Sequence, residues 1–144
     1  MELRRNGHRL VLIGVVGVAA AVPAAALAAG QNSVKLRAPR TAHVGETFQY
    51  VVSGSSASAS ANDLSTFVNT GFRCRRTHKG ELAAQRAGRH VSGELRYRVT
   101  SSHFRGRAKV TSNSTGRHFI CAYLWQRSSG KTLAKASHKY ITKT

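Results

Sequence analysis

From Val34 onward, apolar and polar side chains alternate in short runs. Val34, Leu36 and Ala38 are separated by Lys35 and Arg37, and Pro39 ends the run. A period of two places the apolar residues on one face of a strand. Val44-Gly45-Glu46-Thr47 reads as a turn, after which Phe48, Tyr50 and Val52 alternate with Thr47, Gln49 and Ser53 and stop at Gly54. The Ser/Ala tract from Ser55 to Ala61 is too short for a domain linker and reads as a loop. Leu64 to Thr70 is rich in strand formers around Phe67 and Val68. Gly71 to Arg76 forms a basic turn with the first cysteine, and Glu81 to Ala87, between Gly80 and Gly88, has the composition of a short helix. Strand character returns with Leu95, Tyr97 and Val99 inward and Glu94, Arg96 and Arg98 outward. Ala108 and Val110 mark a further short strand. His118 to Trp125, the most apolar stretch past residue 30, predicts a central strand, and Leu133 to Thr142 a last one. About seven short antiparallel strands at this spacing predict an all-β sandwich with little helix.

The first thirty residues break this pattern. Arg4, Arg5 and Arg9 precede an uncharged run, Leu10 to Ala29, which closes on Ala26-Leu27-Ala28. A basic start, an apolar middle and an A-x-A end form an export signal. Residues 1–28 are therefore expected to be a signal peptide and residues 29–144 one exported domain. Leu10 to Ala29 is also long enough to cross a bilayer, so the alternative is a domain tethered outside the membrane by residues 10–29. The short strongly apolar part, Leu10 to Val18, and the break at Pro23 favour cleavage. No second apolar run follows.

Charge then narrows the partners. The chain carries +18 overall. Past residue 30 it keeps 20 of 23 Lys and Arg (Arg4, Arg5 and Arg9 precede) and four of five acids (Glu2 precedes), a formal +16. Such an excess favours anionic partners. Outside a cell these are wall polymers, lipid head groups and acidic polysaccharides rather than a specific nucleic acid. The alternative is that scattered arginines simply solvate a small domain.

Two cysteines in an exported chain most simply form one disulfide, Cys74–Cys121. A reactive Cys74 thiol, its pKa lowered by the flanking arginines, is the other reading. Arg73-Cys74-Arg75-Arg76-Thr77-His78-Lys79 is the densest basic run, and arginine forks suit phosphate and carboxylate groups. Arg73, Arg75, Arg76 and Lys79 are therefore candidate anion-binding residues, extended by Arg96 and Arg98, or else a solvated loop and the wet face of a strand. His43, His78, His90, His103, His118 and His138 lack the spacing of a zinc site, and no metal or other cofactor is expected. With only Glu46, Asp63, Glu81 and Glu94 as carboxylates and no Gly-x-Ser-x-Gly, His-Glu-x-x-His or phosphate loop, no catalytic residues are assigned. Phe48, Tyr50, Phe67, Tyr97 and Phe119 are expected core residues. Trp125 is either core or an exposed platform for sugar.

Val34 to Pro39, followed by Val44-Gly45-Glu46-Thr47-Phe48 as the second-strand entry and later by Gly116-Arg117-His118-Phe119-Ile120-Cys121-Ala122-Tyr123-Leu124 as the penultimate strand, resemble the immunoglobulin-like β-sandwiches of secreted bacterial proteins. The second strand here has no cysteine, and the lone tryptophan follows Cys121. An antibody-type bridge between sheets is therefore not implied. The resemblance implies that Cys74–Cys121 ties the end of the third strand to the sixth, neighbours within one sheet. The functional expectation is an exported, non-enzymatic binding module for anionic envelope or extracellular polymers. The alternatives are a small secreted enzyme or inhibitor, and a purely structural exported domain.

Overall fold

A computed structural model describes residues 31–144. The expected signal peptide, and the 10–29 run read as an alternative anchor, lie outside the described residues. Among those described, no helix is long and apolar enough to cross a membrane.

The described residues are mostly β, with eight strands: β1 (Ser33–Arg37), β2 (Thr41–His43), β3 (Thr47–Ser55), β4 (Asn62–Thr70), β5 (Val91–Arg98), β6 (His103–Thr111), β7 (Gly116–Gln126) and β8 (Thr132–Lys143). Helix α1 (His78–Arg86) lies between β4 and β5. One sheet has the order β1-β3-β6 and the other β2-β8-β7-β4-β5. Their facing sides share the core. Phe48, Tyr50 and Val110 meet Val68, Ile120 and Tyr140 in one cluster, and Val52 and Phe104 meet Leu64, Ala122 and Leu124 in another. Burial of the Tyr50 hydroxyl raises its pKa to about 12, although its hydrogen bond with Thr66 acts in the opposite sense.

β7 is central, as its apolar run predicts. It departs from alternation because both its faces are covered: Ile120 to Leu124 are all fully buried. Ile120, Ala122 and Leu124 face the other sheet, while Cys121, Tyr123 and Trp125 join Phe67 in a third cluster on the opposite face. A strand covered on both sides must be apolar on both.

Four details correct the sequence reading. An eighth strand, β2, pairs parallel with β8, Thr41 opposite Ile141, so the sheet is not wholly antiparallel. Three residues after a proline carry no periodic signal, and tertiary pairing alone makes them a strand. β3 continues through Gly54 to Ser55. A Cβ at Gly54 would lie 1.9 Å from the Ser33 carbonyl oxygen, so this glycine admits the neighbouring backbone rather than ending the strand. The helix spans 78–86 rather than 81–87, because the Thr77 hydroxyl accepts the Gly80 N–H at 3.1 Å and starts it ahead of the glycine. Glu94 does not face outward. The β4–β5 register steps from Thr66↔Leu95 to Phe67↔Gly93, which leaves Glu94 as a bulge residue lining the cleft between the sheets beside Tyr140.

Candidate functional site

The segment between β4 and α1 carries the basic run, and four attachments hold it on the outer face of the five-stranded sheet. Gly71, at φ +80, donates its N–H to the Arg117 carbonyl at 2.8 Å. Cys74 is bonded to Cys121 on β7, with the Cα atoms 5.5 Å apart. Tyr123, also on β7, donates its hydroxyl to the Arg75 carbonyl at 2.7 Å. The fourth is Glu81, in the first turn of α1 and fully buried.

The Glu81 carboxylate is the anchor of this substructure. It accepts the Arg75 N–H and the Asn69 side-chain amide, and its oxygens lie 3.1 Å from the Tyr123 hydroxyl and 3.4 Å from the Arg75 guanidinium. A buried charge needs such a set of donors. Its place in the first helical turn adds the favourable end of the helix dipole. Burial and the adjacent Glu81 charge together push the Tyr123 pKa far above its usual value. Cys74, Cys121 and Glu81 bring their donor atoms within 4.8 Å of one another. The two sulfurs, however, are bonded to each other and the carboxylate is occupied by its donors.

This arrangement divides the predicted basic residues. Arg75 turns inward: its side chain is 28% exposed and pairs with Glu81, so it is not a free anion contact. Arg73 projects the other way, into a groove of about 390 Å³ between its own segment and strands β7 and β8. Arg117, Lys135 and Lys139 complete the cationic wall of this groove, and Phe119, Ser137 and Cys74 line the rest. The register explains their convergence. Phe119 lies opposite Lys139, Cys121 opposite Ser137 and Tyr123 opposite Lys135, so these pairs share the outer face. Arg117 is diagonal to Lys139, about 7–8 Å away by strand geometry. All four cations are exposed, and among the described residues no carboxylate lines the groove.

Arg76 and Lys79 are exposed outside the groove, Lys79 beside the turn at Gly130. Arg96 and Arg98 do not extend the patch, because β5 lies at the sheet's far edge with β4 between it and β7. Arg96 sits over the Trp125 ring, 5.1 Å from its centroid, and 3.7 Å from Asp63. Trp125 is 6% exposed, which makes it a core residue and not a sugar platform. Its Nε1 donates to Ser65 at 2.9 Å, and His78 stacks on it at 4.3 Å. Burial, followed by the Arg96 charge, lowers the His78 pKa, with Asp63 opposing. The acids are likewise committed. Asp63 is buried on β4 and accepts the Arg127 guanidinium at 2.8 Å, while Glu46 accepts the His43 N–H at 2.7 Å. His118 uses both ring nitrogens, at 3.3 Å from the Thr70 hydroxyl and 2.9 Å from the Ser114 carbonyl.

The sequence reading missed Arg117, Lys135 and Lys139. Their signal was present as cations at outward positions of strands already delimited, but their convergence with Arg73 follows from the path the disulfide imposes. No protein-family model matches the chain, and no curated protein matches it.

Proposed function

We propose that this is an exported, non-enzymatic binding module of immunoglobulin-like architecture, and that the groove of Arg73, Arg117, Lys135 and Lys139 takes anionic segments of cell-envelope or extracellular polymers. The observation that carries this reading is the clustering of four exposed cations in one concave site without a carboxylate among the lining residues. Like charges so placed repel, and a bound anion relieves the repulsion while arginine forks hold its oxygens. The disulfide and the Glu81 anchor fix Arg73 before any ligand arrives, which lowers the ordering cost of binding.

A disulfide fits an oxidising, extracytoplasmic location. It also leaves neither sulfur as a free nucleophile, which favours binding over thiol catalysis. For the immunoglobulin-like assignment, support comes from two sheets sharing one core, with β1 in one sheet and β2 in the other, and from Gly116 to Leu124 forming the central strand.

Sedimentation with purified cell walls tests the reading. Binding should weaken as salt rises, and R73Q/R117Q/K135Q/K139Q should remain in the supernatant at a salt concentration where the wild type pellets. Equal retention of that variant and the wild type would overturn the assignment.

A further inference from the structure

The opposite side of the molecule carries a second basic surface, built differently from the groove. On the outer face of the three-stranded sheet, Lys35 lies across Ser53 from Arg105, and Arg37 across Val51 from Arg107. Lys109 continues the β6 row opposite Gln49. All five cations are exposed. They stand on the two edge strands, while β3 between them offers only uncharged side chains to this face.

The result is a flat track with cationic margins. Successive cations along a strand are about 6.8 Å apart, and the margins are about 9.5 Å apart, two strand spacings. That width admits one linear chain and is too narrow for a double helix. The four acids of the described residues lie elsewhere: Asp63 and Glu81 with their arginines, Glu94 in the inter-sheet cleft, and Glu46 in the β2–β3 turn.

We infer that this face is a second, independent site for a single linear polyanion, so that one domain bridges two chains, one on each side. The inference rests on the polyanion reading of the groove and adds a second valence to it. Because the sheets lie face to face across a shared core, their outer faces point in opposite directions, and one chain cannot occupy both sites without wrapping around the domain. Cations on edge strands also deter edge-to-edge pairing, so the experiment must separate binding from that role.

Calorimetric titration of the disulfide-intact protein with a linear polyphosphate of about ten units, a length matched to a nine-residue strand, makes this separation. The wild type should take up two chains per protein. R105Q/R107Q/K109Q should take up one, as should R117Q/K135Q/K139Q, and K35Q/R37Q should weaken the same site as the β6 variant. If the wild type takes up one chain and the β6 variant retains it, the second site falls while the groove reading stands. Uptake of two chains by the β6 variant, with or without self-association, likewise overturns it and leaves the cations as edge protection. If the wild type takes up none, the groove reading falls as well.

Discussion

Replacing Cys74 and Cys121 together by alanine opens a closure across 47 residues of chain. Chain entropy sets the size of the effect: a loop of this length restricts the denatured ensemble by about 4 kcal/mol at room temperature. Truncation adds a smaller loss, since Cys121 is fully buried among Phe67, Tyr123 and Trp125. Against a usual total of about 5–15 kcal/mol, that is a large share of the stability. Urea denaturation should therefore show a loss of about 4 kcal/mol. The thermal midpoint should fall by roughly 15–25 °C for a domain of this size. The m-value should rise, because the uncrosslinked denatured chain exposes more surface. The groove should suffer too. Without the bond, Arg73 loses one of the attachments that hold it, and anion affinity should drop although no groove side chain has changed. A stability loss below about 1 kcal/mol would contradict this, because it would mean that the denatured chain already keeps the two segments close without the bond.

Glu81→Ala should cost about 3–5 kcal/mol, because it removes the ion-pair partner of the Arg75 guanidinium and the acceptor of the Arg75 N–H and the buried Asn69 amide. Glu81→Gln, which keeps the shape and an acceptor, should cost less, and equal losses in urea denaturation would contradict the anchor role. His78 has a folded pKa below 6.5, so the unfolded chain takes up its proton first and stability falls as pH drops through and below that value. His78→Phe should flatten the stability profile on this acid side. Trp125, the single tryptophan, stacks on His78 and reports the event: its fluorescence should titrate with a midpoint below 6.5, and a midpoint above it would contradict the burial argument.

Where one physical cue decided the outcome, the sequence was readable. Alternation placed β1 and β3, and an unbroken apolar run identified β7 as central, because burial on both faces leaves no polar side. The disulfide followed from cysteine count and export context. Legibility ended where two distant segments had to meet. β2 exists because Thr41 to His43 finds the edge of β8, and nothing within three residues announces that. Arg75 looked equivalent to Arg73, yet a buried carboxylate six residues on took one and left the other. The bulge at Glu94 reversed a face that strict alternation had pointed outward. The outward cations of β7 and β8 were visible singly, and only the strand register made them a site.

The groove's claim to bind polyanions is tested most directly by the salt dependence of affinity for a short linear polyphosphate, measured in the R105Q/R107Q/K109Q background so that the groove alone contributes. Counterion release contributes roughly 0.7 to the slope of log K against log salt for each cation engaged on a single-stranded polyanion. Adding R73Q/R117Q/K135Q/K139Q should therefore flatten the slope by about 3. An unchanged slope, with affinity intact, would show that the anion sits elsewhere and would contradict the account.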